Sequence, residues 1–241
     1  MRAQQWRAWV LALALAAAHS GLMAQDARDP WEPMNRRVYQ FNDALDAAVV
    51  RPVAQAYQAV LPSMVRKGVH NFLGNLGDVW SMANNAMQLK AQGTAESFLR
   101  VSVNTVFGLA GVLDVASEMG IPKRKEDFGQ TLGYWGVKSG PYVVLPLFGP
   151  STVRDGLALQ VDTLGNPGQN LSDTTLRTTL TVLRITDTRA SLLQTVDSVK
   201  QASLDPYSFV RDAYLQKREN DIYDGNPPSN FDYNEPDLSG Q

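Results

Sequence analysis

The stretch VSVNTVFGLAGVLDVA, residues 101–116, decides the fold: sixteen residues carry one charge, Asp114, near the far end. At about 1.5 Å per residue a helix of this length reaches about 24 Å, short of a hydrocarbon core of about 30 Å. It cannot cross a bilayer. Gly108 and Gly111 bend it in the middle, so the segment predicts a helix-turn-helix hairpin with Phe107, Leu109, Val112 and Leu113 as an apolar wall. Two settings fit that pattern equally: a hairpin dipping into one leaflet, or an ordinary buried hairpin of a soluble core. Asp114 belongs at the level of lipid headgroups or at a helix cap.

On the amino-terminal side, Val38, Phe41, Leu45 and Ala48 recur at spacings of three and four, an amphipathic helix that Arg51-Pro52 is expected to break and restart. Gly74 and Gly77 suggest a turn between helices. On the carboxyl-terminal side, helix starts are expected at Ser151, Ser172, Asp187 and Asp205, the last followed by Pro206 at the favoured first position. Residues 128–150 hold five glycines and three prolines, a loop too broken for long helices. Its aromatic residues suit either packing on the helices or a membrane interface. The best strand, Tyr142–Leu145, is closed off by Pro141 and Pro146, so a sheet-based core is not expected. The fold class is all-α, one domain over residues 29–224. The tail 225–241 has no Lys or Arg and too little apolar content to fold, and disorder is expected there.

Composition removes most chemistry. The chain of 241 residues has no cysteine and two histidines, His19 and His70, so disulfides, thiol nucleophiles, zinc-thiolate sites and multi-histidine metal centres are excluded. A formal net charge of -2 disfavours nucleic acid. No G-x-S-x-G, G-x-G-x-x-G or phosphate-binding loop occurs, and the acid pairs Glu126-Asp127 and Asp221/Asp224 read as solvated surface. His70, flanked by Val69 and Phe72, reads as a structural helix residue. No cofactor, metal or catalytic residue is expected, and the protein is not read as an enzyme.

Residues 1–24 carry Arg2 and Arg7, an apolar run from Ala8 to Ala18, and small residues, the three-part pattern of a secretory signal peptide with cleavage after Ala18 or Ala24. Removing them leaves 20 basic against 24 acidic residues, a charge of -4. Leu22-Met23-Ala24 begins like a bacterial lipoprotein box, but Gln25 stands where acylation requires a cysteine.

Many blocks of this chain resemble the MlaA/VacJ family, and they follow one another in that family's order. The first is Asp29-Pro30-Trp31-Glu32, Asn35-Arg36, Tyr39, Phe41-Asn42, Asp46 and Arg51-Pro52-Val53-Ala54. Asn71-Phe72, Asn75-Leu76, Asn104-Thr105, Gly108, Gly111 and Asp114 follow, then residues 126–133, 140–142, 145–146, 149–151 and 154–155, and finally Asp205-Pro206-Tyr207, Arg211 and Ala213-Tyr214. The resemblance implies an outer-membrane protein of Gram-negative bacteria, a ring of amphipathic helices in the periplasmic leaflet. It implies removal of mislocalised phospholipids from the outer leaflet through an amphipathic channel, which preserves lipid asymmetry. The implied partners are phospholipids, a trimeric outer-membrane porin and a soluble periplasmic lipid carrier. By the same resemblance, Phe41 and Asn42 help gate the lipid path. The departure at Gln25 leaves the acyl anchor in question. The rival class is a soluble periplasmic binding or scaffold protein whose hairpin is ordinary core, to be told apart by membrane fractionation.

Overall fold

The structure is a computed structural model and describes residues 28–228; the signal segment 1–24, Gln25 and most of the tail 225–241 lie outside the described residues. Helix α1 (Glu32–Leu45) runs through a π turn (Asp46–Val50) directly into α2 (Arg51–Val60). Arg51-Pro52 therefore does not break the helix. Proline lacks an amide proton and crowds the carbonyl four residues back, and the π turn absorbs both problems: the Arg51 amide reaches Asp46 O, five residues back, and the wider turn makes room.

Helix α3 (Ser63–Met87) also runs unbroken where a turn at Gly74 and Gly77 was expected. After α4 (Ala91–Val106) the chain turns through 107–113 into α5 (Val115–Glu118), so the apolar hairpin is asymmetric, one long arm and one single turn. Helix α6 (Phe128–Tyr134) precedes strands β1 (Tyr142–Leu145) and β2 (Gly149–Thr152), an antiparallel pair in which Tyr142 faces Thr152 and Leu145 faces Gly149. The strand that prolines bracket thus forms, but only as a two-stranded hairpin. Helices α7 (Val153–Gly165), α8 (Thr174–Ser191), α9 (Leu193–Ala202) and α10 (Pro206–Ile222) complete a mostly helical single domain.

Side-chain caps fix the starts. Asp127, Thr152, Asp173 and Asp205 each accept an amide proton from the first turn of α6, α7, α8 and α10. The expected starts at Ser151 and Ser172 are each one residue early, and Asp187 is not a start at all but a buried residue inside α8. The packing closes on itself: α2 lies on α8, α8 on α3, α3 on α6, α6 on α10, α10 on β2, and β1 returns to α1.

Burial is inverted relative to an ordinary soluble domain. Among the described residues nine hydrophobics are buried against twenty-one polar or charged ones, while Phe41, Phe98, Val106, Phe107, Leu109, Phe148 and others of that size stand more than half exposed. Even α1 buries Asn35 inward and leaves Phe41 outside, against the expectation from its apolar spacing. Buried polar groups are for the most part hydrogen-bonded, and here many of them are joined in networks. Asp29 accepts from Asn35 at 2.8 Å and from the Tyr207 hydroxyl at 2.5 Å. Asn35 also pins the free edge of β1, donating to Tyr142 O at 3.1 Å and accepting from Val144 N at 2.9 Å. Arg218 forks onto two carboxylates at once, Asp127 at 2.6 Å and Asp155 at 2.9 Å. Burial pushes both acids up, but the Arg218 guanidinium overcomes it and holds both below the usual carboxylate range.

Candidate functional site: apolar grooves around the hairpin

The loop 107–113 is tied by bonds within the hairpin. Ala110 N donates to Thr105 O, Gly111 N to Gly108 O and Leu113 N to Gly108 O, at 3.0, 3.2 and 2.9 Å. Each such bond pairs a backbone group that an apolar setting would leave without a partner. Leu109, Ala110 and Gly111 all take positive φ, at 54°, 60° and 99°. The two glycines serve different ends. A Cβ at Gly108 would sit 2.2 Å from Leu113 O, and one at Gly111 would sit 2.5 Å from the Asn75 Cβ.

Helix α3 provides the seat. Gly68 leaves room for Val112, Asn71 donates to Val112 O at 3.1 Å, and Asn75 donates to the Thr105 hydroxyl at 3.1 Å. Behind the seat, the fully buried Arg100 bonds both oxygens of Asp114 at 2.8 and 3.0 Å and Ile121 O at 2.6 Å. It also lies 3.5 Å from Asp78. Asp114 caps α5 through Ser117 and accepts from Asn104. Burial raises its pKa, but the hydrogen bonds from Ser117 and Asn104 and the charge of Arg100 bring it down to about 2. Of the two roles read from sequence, the cap is the one formed, and the acid is in addition the counter-ion of a buried arginine.

The exterior carries two open apolar grooves. The first, about 1030 Å³, lies between the amino-terminal half of α3 and the hairpin, with Met64, Phe72, Val112, Leu113 and Leu183 among its walls and Lys67 and Glu118 at its rim. The second, about 880 Å³, lies between α2 and the threonine-bearing face of α8, with Val53, Tyr57, Val60, Val182 and Leu183. Leu183 lines both.

The structure therefore brings Val112 and Leu113 into a groove wall and leaves Phe107 and Leu109 about 70% exposed at the hairpin. Phe41 and Asn42 sit elsewhere, on α1 beside the β hairpin. Asn42 donates to Leu145 O at 3.0 Å and accepts from Leu147 N at 2.8 Å, a latch on the β1–β2 turn. His70 bonds Asp187 at 2.8 Å, and Asp187 also accepts from the Tyr57 hydroxyl at 3.1 Å, which ties α2, α3 and α8 together. No group of three or more His, Asp or Glu among the described residues is placed to hold a metal ion. No helix among them is long and apolar enough to cross a membrane. Sequence reading missed the α2/α8 groove and Arg100. The regular threonines of α8 at 174, 175, 178, 179 and 186 were the available signal for the groove.

Fold and site together define a class: a single-domain, mostly helical protein with a polar interior and an apolar, grooved exterior. The family model described as MlaA lipoprotein matches residues 27–221, and the chain belongs to that family. It is 38% identical over 212 residues to the intermembrane phospholipid transport system lipoprotein MlaA of Shigella flexneri, covering 86% of this chain and 83% of that protein. The Escherichia coli (strain K12) protein of the same description is 37% identical over equal shares. A solved structure described as the structural basis for maintenance of bacterial outer membrane lipid asymmetry superposes with a TM-score of 0.71 at 34% identity, over 80% of this chain and 98% of that one.

Proposed function

We propose that this protein extracts mislocalised phospholipids from the outer leaflet of the outer membrane and passes them, without covalent chemistry, to a soluble periplasmic carrier, so maintaining lipid asymmetry. The observation that carries the proposal is the inverted burial: apolar side chains are turned outward around two apolar grooves, while the interior is held by polar networks. An exposed apolar surface this extensive marks an interaction site in a soluble setting, and hydrocarbon suits it without further partners. The protein then sits in the periplasmic leaflet, with no helix among the described residues both long and apolar enough to span and its apolar rim in the acyl region, beside a trimeric porin that shields part of the rim. Retention does not need Gln25 to be acylated, since one acyl chain gives only marginal, reversible binding.

In this reading Val112 and Leu113 line the path, Phe107 and Leu109 extend it at the hairpin tip, and Gly108 and Gly111 hold the turn. Phe41 stands exposed beside the latch made by Asn42, so loosening that latch alters access to the path. The test is fractionation followed by transfer. Native membranes washed with high salt and then with carbonate should retain the protein until detergent is added, and vesicles carrying it should yield phospholipid to the periplasmic carrier. Recovery in the salt or carbonate wash, or vesicles that yield no lipid, would sink the proposal.

A further inference from the structure

Arg100, fully buried on α4, divides one edge of its guanidinium between two carboxylates. Its Nη2 donates to both oxygens of Asp114, at 2.8 and 3.0 Å. Its Nε donates to none, although Asp78 Oδ2 lies 3.5 Å away, and that oxygen is itself buried without a donor. An unmet donor and an unmet acceptor thus lie side by side, just beyond the roughly 3.2 Å at which such groups bond. Each costs stability while it stays unpaired.

Elsewhere in this protein the same edge takes one carboxylate whole. Arg189 sets Nε and Nη2 on the two oxygens of Asp46, at 2.6 and 2.8 Å, and Arg218 sets them on those of Asp155, at 2.9 and 3.0 Å. That fork is the strong form of the contact, and Arg100 makes it with neither of its acids. The two acids belong to different parts of the fold. Asp78 is buried in the middle of α3, its other oxygen 3.2 Å from the Lys123 Nζ. Asp114 is the root of the hairpin, next in sequence to Val112 and Leu113 of the larger groove's wall. The remaining ties of the hairpin to α3 are neutral: Val112 against Gly68, Asn71 on Val112 O and Asn75 on Thr105.

Taking Asp114 away from Arg100 would strand a buried cation, which is what keeps such pairs closed. Asp78 lowers that cost. A small shift of the guanidinium puts Nε and Nη2 on its two oxygens, while Nη1 stays on Ser117 Oγ and Ile121 O, now at 3.2 and 2.6 Å. We infer that Arg100 exchanges between Asp114 and Asp78, and that the exchange lets the wall of Val112 and Leu113 lift from α3 and reseat, opening and closing the larger groove. Arg100 and Asp78 are positioning residues for that wall. The exchange holds whether or not the transport reading does, because it does not depend on what the groove carries.

The chain has no cysteine, so spin labels can be placed on the full chain in detergent micelles at Leu109→Cys on the hairpin and Ile185→Cys on α8, both exposed. Double electron–electron resonance should give two distances, the seated one dominant. Adding Asp78→Asn removes the second partner and should cut the lifted population roughly tenfold, the size of one charge-assisted contact; an unchanged seated distance reports an intact fold. Adding Lys123→Gln, on a side chain 43% exposed, leaves Asp78 a stronger acceptor and should raise the lifted population about threefold. A lifted population that stays the same or grows in Asp78→Asn makes Asp78 one more anchor of a static network and overturns the inference. If Asp78→Asn does not fold, Lys123→Gln decides: growth supports the exchange, and an unchanged or smaller lifted population overturns it. A single seated distance both without and with Lys123→Gln overturns it as well.

Discussion

Replacing Gly111 by alanine tests whether the hairpin is locked on α3. The new methyl would lie 2.5 Å from the Asn75 Cβ and 2.7 Å from its Nδ2, closer than real Cβ contacts come, and φ there is 99°. Holding an L residue in the left-handed region costs about 1–2 kcal/mol. Pushing Asn75 aside adds about 1–3 kcal/mol of overpacking, and its lost bond to Thr105 about 1 kcal/mol. The total is about 3–6 kcal/mol, a large part of the roughly 5–15 kcal/mol that stabilises a typical protein. If the hairpin stays seated, the melting temperature in detergent should fall by at least about 6 °C. If it lifts instead, residues 105–113 should lose amide protection while the rest of the molecule keeps it. Gly77→Ala is the control, because its Cβ meets nothing within 4 Å inside α3. It should raise stability by about 0.5–1 kcal/mol through helix propensity. A Gly111→Ala protein with wild-type melting and wild-type protection of the hairpin would refute the reasoning.

Asp114→Asn removes the counter-ion of buried Arg100 and should destabilise by about 3–5 kcal/mol, seen as a lowered denaturation midpoint. Leu109→Asp, on a side chain 70% exposed, should leave that midpoint unchanged in detergent and reduce membrane retention instead. Asn42→Ala breaks both bonds to the β1–β2 turn and should cost about 1–3 kcal/mol, with faster hydrogen exchange at Leu147 as the local readout. Asp114, Asp127 and Asp155 have depressed pKa values in the fold, so the unfolded chain binds protons first and their stabilisation is complete above about pH 4. It is lost as pH falls through the folded values, about 2 for Asp114. A melting temperature that holds from pH 7 to 5 and drops between pH 4 and 2 is expected; one that rises on acidification contradicts the assignment.

Helices were legible in the sequence where capping chemistry is local, as at Asp205-Pro206, and the domain's mostly helical class followed from the scarcity of alternation. The errors have physical causes. Arg51-Pro52 carries the signal of a helix break, yet the π turn immediately before it removes the clash, and nothing local announces that. Gly74 and Gly77 sit inside α3, where a Cβ would meet only the movable tip of Lys123 at the first and nothing within 4 Å at the second, so neither position requires a turn. Asp187 looked like a cap because acids favour helix starts, whereas its partners Tyr57 and His70 come from two other helices. The amphipathic reading of α1 assumed that apolar faces point inward, and in this protein Phe41 points out. The hairpin's wall was visible as an uncharged run. The second groove was not, because it arises between α2 and α8, more than a hundred residues apart.

The polar interior has a consequence for where the protein can live. Hydrophobic burial drives folding only against water; against acyl chains a leucine gains nothing by turning inward. A body whose cohesion lay in apolar contacts would loosen on the side that meets hydrocarbon. Carboxylate–guanidinium forks such as Arg218 with Asp127 and Asp155, and amide clasps such as Asn35 on β1, keep their strength or gain it as the surrounding dielectric falls. Such a framework holds beside water and beside hydrocarbon alike, without being rebuilt for either.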